Sequence, residues 1–233
     1  MKTKTKFIFS ILSFVLFAVL IVLVKKVDVA DIGPEGTSIG LSGMNKCFHD
    51  MTGYSNTLFK LTEYLGYAAL VIVGVFGILG LVQLIQRKSL LKVDRAILLL
   101  GGLYVVVFGL YIFFDKVAIS YRPMIMEGDL HVEPSFPSSH TVLACVVLGS
   151  AIIMVKDYIH KDEIRMILEF LMVAMMVMLA VGRLLSGVHW LTDIIGGVLL
   201  SCGLLFLFAG LKDKVTVAGH RGLSRLSRFP AKT

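Results

Sequence analysis

Three groups of residues in this chain have the types and spacing for chemistry on an anion. The first is Gly182-Arg183 with His189 and Asp193 behind it. A helix starting near His189 would set His189 and Asp193 one turn apart on one face. The carboxylate could then accept a hydrogen bond from one imidazole nitrogen, fix the tautomer, and leave the other nitrogen free as nucleophile or base. Ser186-Gly187 breaks the preceding helical run, so Arg183 can return to the same point. The second group is Pro137-Ser138-Ser139-His140. Proline suits the first turn of a helix, where its missing N–H does no harm. The N–H groups of Ser138, Ser139 and His140 would then point out of a helix N-terminus, an anion site with two hydroxyl donors added. The third group is Tyr121-Arg122-Pro123. Arg122 and Arg183 can grip one anion through forked, charge-assisted bonds. Each group alone reads equally as a helix start, a turn or a polar helix end. Together they fit a tetrahedral oxyanion such as phosphate.

The elements that must position these residues are membrane helices. With 57% apolar residues over 233 positions and a mean hydropathy of +0.86, the chain reads as an integral membrane protein. Apolar runs at 7–24, 64–85, 96–114, 138–155, 166–182 and 189–211 are each long enough to span a bilayer. The fold class expected is all-α, a polytopic six-helix transmembrane bundle forming one domain over 1–233. Lys25-Lys26 follows the first run where a signal peptide would carry small residues, so that helix is expected to be retained. Residues 27–63 read as a polar loop whose second half can form an amphipathic interfacial helix, with no visible chemistry. Gly74, Gly77 and Gly80 suggest a smooth stripe for close helix packing. Met172, Met175, Met176 and Met178 read as adaptable packing, and Glu169 as a residue reaching the interface. Cys47, Cys145 and Cys202 carry no metal spacing.

The net charge of +7 raises nucleic acid as a partner, but its distribution argues for orientation instead. Most basic residues fall at the N-terminus, at 87–95, at 156–165 and in the tail at 212–233. Six spans put all four on one side, which the positive-inside rule makes cytoplasmic. Lys25-Lys26 is the exception. No basic groove with interleaved aromatics is present, so no nucleic-acid partner is expected. In this topology the tail is cytoplasmic, residues 27–63 are extracytoplasmic, and the three motif groups face outward.

These residues resemble the type 2 phosphatidic acid phosphatase superfamily. Its signature reads Lys-six residues-Arg-Pro, then Pro-Ser-Gly-His, then Ser-Arg-five residues-His-three residues-Asp. The likeness spans residues 116–193, about a third of the chain. Here Ser139 stands for the glycine, Gly182 for the serine, and the first block is one residue short, with Asp115 in the lysine slot and Lys116 beside it. On a helix, seven residues return to nearly the same face, whereas six leave the side chain roughly 120° away. Lys116 is therefore expected to miss the phosphate.

The resemblance implies a six-span lipid phosphatase in, as expected here, a bacterial plasma membrane, with its site outward. It implies His189 as a nucleophile that forms a phosphohistidine, Asp193 as its orienting partner, and His140 as general acid and then base. It also implies Arg122, Ser138, Ser139 and Arg183 as phosphoryl ligands. Arginines neutralise the charge, so no metal and no cofactor are expected. The partners implied are the bilayer and a membrane lipid phosphate or diphosphate, with undecaprenyl diphosphate, phosphatidylglycerol phosphate and phosphatidic acid all fitting. Oligomeric state is not legible. The rival readings are a catalytically silent lipid-phosphate binder or transporter and, more distantly, a vanadate-dependent haloperoxidase.

Overall fold

In the computed structural model, which describes residues 1–226 and side chains through residue 216, the chain is all-helical. Its α-helices are α1 (Thr3–Lys26), α2 (Ser42–Thr52), α3 (Asn56–Arg87), α4 (Arg95–Lys116), α5 (Ser139–Tyr158), α6 (Asp162–Leu185) and α7 (Leu191–Leu226). All but the short α2 are long and apolar enough to cross a membrane. The chain is an integral membrane protein with a six-helix bundle. Residues 227–233, the end of the tail expected at 212–233, lie outside the described residues.

Two helices form the centre. In their most apolar windows α5 and α7 are 61% and 56% buried, against 6% for α3 and α6. Small residues let their neighbours come close. A Cβ on Gly203 would lie 2.6 Å from the Phe14 ring, and one on Gly197 would lie 3.0 Å from the Thr141 side chain. Ser10 Oγ donates to the Gly203 carbonyl at 2.8 Å, so α1 is stitched to α7 at the point of closest approach. Lys6 pairs with Asp213 at 2.7 Å further along the same seam. Phe17, Leu100, Val146, Leu204 and Phe208 fill the space between α1, α4, α5 and α7.

The glycine stripe does not behave as expected. Gly74 and Gly77 have no neighbour within 4 Å of a built Cβ, and only Gly80 is tight, against Ile97. The buried residues of α3 are Thr62, Gly66 and Ala69, all in its first half. Helical glycine spacing signals a packing face only where a second helix arrives, and none comes close to the positions of Gly74 and Gly77. Three of the four methionines do serve as packing: Met172, Met175 and Met176 lie against Ala144, Leu148 and Leu179, whereas Met178 is exposed.

The segment before α3 has structural work that its sequence hid. Helix α3 starts at Asn56, so this segment ends at residue 55. Its amphipathic α2 presents Asn45, whose Oδ1 accepts from Thr192 N at 3.2 Å and whose Nδ2 donates to Thr192 Oγ1 at 3.0 Å. One asparagine thus satisfies an otherwise orphaned N–H in the first turn of α7. Gly187, at φ +72°, turns the chain between α6 and α7, and a Cβ there would lie 2.0 Å from the Gly53 carbonyl. Ser55 N donates to the Ser186 carbonyl beside it, at 3.1 Å. The turn that delivers His189 is therefore clamped by the segment preceding α3.

Candidate active site

His189 sits two residues before α7 rather than in its first turn, yet the pairing anticipated from the spacing forms. His189 Nδ1 lies 3.3 Å from Asp193 Oδ2, and both side chains are almost wholly buried. The same carboxylate oxygen accepts from Trp190 N at 3.0 Å, so the backbone fixes the aspartate before the aspartate fixes the imidazole. With Nδ1 donating to a carboxylate, the lone pair of the ring falls on Nε2. That atom is buried and has no hydrogen-bond partner among the described residues. Burial first, then the positive charges of Arg122 and Arg183, holds the His189 imidazole well below the ordinary histidine range. The His189 ring is therefore held in its neutral form.

His189 opens onto a cavity of about 540 Å³ that is also lined by Arg122, Ser139 and His140. The remaining walls are mainly apolar side chains of α3, α4 and α5, among them Leu70, Phe108, Phe114 and Leu143. Arg122 enters from the 117–138 connection, where Arg122 N donates to the Glu133 carbonyl at 3.0 Å and Ser135 N to the Ser120 carbonyl at 2.9 Å. Trp190 Nε1 donates to the Tyr121 carbonyl at 2.7 Å, tying this connection to the residue next to His189. The Arg122 guanidinium lies 3.1 Å from the Glu133 carboxylate.

The start of α5 differs from the expectation. Pro137 lies outside the helix, and Ser138 is the N-cap, its Oγ accepting from Thr141 N at 3.4 Å and Thr141 Oγ1 at 3.1 Å. Ser138 N donates to the Asp193 carbonyl at 3.0 Å, so this N–H is not available to an anion. Ser138 is fully buried and does not line the cavity. It ties α5 to α7 and thereby sets His140 opposite His189. The N–H groups of Ser139 and His140, in the first turn, remain for an anion.

Arg183 is also placed unexpectedly. It is 1% exposed, does not line the cavity, and pairs with Glu63 of α3. Glu63 Oε1 lies 3.0 Å from His140 Nε2 as well. Residue 63, expected at the end of a loop, is a functional candidate that the motif spacing does not reveal. The available signal was an isolated acid at the head of an apolar run, which at membrane depth is a functional candidate. Gly182 now has a reason to replace serine: a Cβ there would lie 2.6 Å from the Thr62 methyl group. Lys116 ends α4 with its side chain 78% exposed and 3.8 Å from Asp115. The chain after it is not helical, so helix rotation does not set its direction, but Lys116 still stays out of the cavity.

A profile of the PAP2 superfamily matches residues 96–216, more than half of the chain. This chain belongs to the PAP2 superfamily. It is 28% identical over 102 residues to phosphatidylglycerophosphatase B of Bacillus subtilis (strain 168), which is 43% of this chain and 48% of that protein. The chain thus spans about half the length of that curated relative. The fold is similar to the crystal structure of the transmembrane PAP2-type phosphatidylglycerolphosphate phosphatase from Bacillus subtilis. That likeness has a TM-score of 0.65 at 18% identity and covers 88% of this chain and 96% of the other. Aquifex aeolicus LpxE aligns with a TM-score of 0.40 at 22% identity, over 70% of this chain and 93% of its own. The all-helical, six-span PAP2 architecture expected from the sequence is the one found.

Proposed function

We propose that this chain hydrolyses a membrane lipid phosphate or diphosphate through a phosphohistidine at His189, without a metal, at the extracytoplasmic face. The observation that carries the proposal is the pair of histidines on one cavity, with His189 Nε2 unpartnered and Nδ1 held by Asp193. Nε2 attacks phosphorus as the bond to the leaving oxygen breaks, and His140 gives that oxygen its proton. Water then attacks the phosphohistidine, His140 takes a proton from it, and the P–N bond breaks to release phosphate and restore His189. Asp193 balances the charge that the ring carries in between. Arg122, Ser139 and the first N–H groups of α5 are the groups that hold the phosphoryl oxygens. Such preorganised donors are worth roughly 3–4 kcal/mol each when aimed at developing charge. Arg183 adds positive charge beside them, and the two arginines supply what a divalent cation would otherwise bring.

The apolar walls of the cavity favour an amphiphilic substrate over a soluble ester. The name of the Bacillus subtilis relative, phosphatidylglycerophosphatase B, makes phosphatidylglycerol phosphate the first substrate to try, followed by phosphatidic acid and an isoprenyl diphosphate. Purified protein in chelator should release phosphate from at least one of these, and an acid-labile phosphoenzyme should be absent in His189→Ala. Activity lost in chelator and restored by magnesium would overturn the mechanism, and binding without turnover would make the chain a silent lipid-phosphate binder. The distribution of the basic clusters supports the outward placement of the site. Cysteines placed at Glu133 and Lys161 should differ under an impermeant reagent in intact cells, with labelling at position 133 only.

A further inference from the structure

Helix α3 lies outside the 96–216 stretch that carries the PAP2 profile, yet four of its residues lie against Gly182, Arg183 and His140. Phe59, Thr62, Glu63 and Gly66 follow the i, i+3, i+4, i+7 pattern of a single helix face. Each has a partner in the site blocks. The Arg183 guanidinium stands over the Phe59 ring, 4.9 Å from its centroid. The Thr62 methyl packs where only Gly182 leaves room for it. Glu63 Oε1 takes both the Arg183 guanidinium and His140 Nε2. The His140 ring approaches α3 at Gly66, where a built Cβ would be 3.4 Å from Cδ2. Beyond this face α3 packs through partly buried apolar side chains, Leu65 and Ile72 against one core cluster and Phe76 and Leu79 against the other. This face is the part of α3 that meets the site blocks.

We propose that α3 is a positioning element for the reaction and that Glu63 is its principal positioning residue. One carboxylate oxygen holds the general acid His140 and the buried cation Arg183 in register. Glu63 orients His140 as Asp193 orients His189, but here the carboxylate on Nε2 also stabilises the imidazolium, whose second proton, on Nδ1, is the one given to the leaving oxygen. His140 Nδ1 is left buried and unpartnered, as a group reserved for a proton transfer should be. The same oxygen offsets the charge of Arg183, which at 1% exposure has no water to do so. The inference rests on the phosphatase reading, but the residue and the helix are additional to it.

The test compares wild type, Glu63→Gln and Glu63→Ala on a lipid phosphate and on p-nitrophenyl phosphate, whose leaving group departs without a proton. On the lipid, kcat should fall about tenfold in Glu63→Gln and about a hundredfold in Glu63→Ala, the scale of a lost general acid, with KM within about threefold. On p-nitrophenyl phosphate both losses should be several-fold smaller, a difference that a merely structural role would not produce. Glu63→Gln is isosteric and keeps an acceptor for Arg183, so it carries the test if Glu63→Ala misassembles. Unchanged kcat, or equal losses on both substrates, would overturn the inference while leaving the phosphatase intact. A lower KM with kcat kept would also overturn it, because Glu63 would then be a resting plug in the phosphate's place. Wild-type protein inactive on every substrate would remove the phosphatase reading itself, and the inference with it.

Discussion

Asp193→Asn isolates the charge of the aspartate from its shape. Opposite unit charges at the 3.3 Å separating His189 Nδ1 from Asp193 Oδ2 attract by about 5 kcal/mol at an effective dielectric of about 20. That interaction is available to a phosphorylated, cationic His189 and is largely absent for the neutral ring, so it stabilises the intermediate and the path to it. An asparagine keeps part of it as a dipole. At roughly 1.4 kcal/mol per decade, losing between half and all of the term predicts a fall in kcat of about a hundredfold to a few thousandfold. Stability should change little, because the amide oxygen can still accept from Trp190 N, now 3.0 Å from the carboxylate. Asp193→Ala removes that acceptor as well and leaves a buried N–H unpaired, at a cost of about 1–3 kcal/mol. The assay is steady-state turnover of a lipid phosphate in detergent, beside the thermal midpoint of the same preparation. Asp193→Asn with a wild-type midpoint and kcat within threefold of wild type would refute the assignment of Asp193 as the partner of the nucleophile.

Lys116→Ala should cost only a few-fold in kcat because its side chain is 78% exposed, whereas Arg122→Ala should cost about a hundredfold or more, as removal of an oxyanion donor does. Equal, large losses in well-inserted protein would return Lys116 to the site. Gly187→Ala forces a Cβ into αL backbone and to within 2.0 Å of the Gly53 carbonyl, so the thermal midpoint should drop by several degrees, the equivalent of about 2 kcal/mol or more. A midpoint unchanged in Gly187→Ala would mean that the turn is not clamped there. The pKa of His189 is held low by burial and by the two arginines, so the unfolded chain takes up the proton first. The stability this provides is complete above the ordinary histidine value of about 6.5 and is lost as pH falls below it. The thermal midpoint should therefore decline on acidification from pH ~6.5 less steeply in His189→Gln than in wild type, and identical slopes would exclude His189 as a source of the decline.

Much of this protein follows from its sequence because its solvent is a bilayer. Long apolar runs in lipid have one economical way to satisfy their backbone, so six runs imply six helices, and only the helix ends needed correcting. The local spacing from His189 to Asp193 and the clustering of motif blocks were equally legible, since both depend on neighbours along the chain. What the sequence could not show is which faces meet. Gly74 and Gly77 carry a packing pattern but face no partner, whereas Gly182, an apparent loss of a hydroxyl, is small because Thr62 fills its space. Ser138 reads as a phosphate donor and is instead the cap and tie between α5 and α7. Glu63 lies 120 residues from the arginine it neutralises, and no local pattern connects them. Only the approach of α3 to the ends of α5 and α6 makes that carboxylate part of the site, because pairing a buried guanidinium is a property of the space around it, not of its place in the chain.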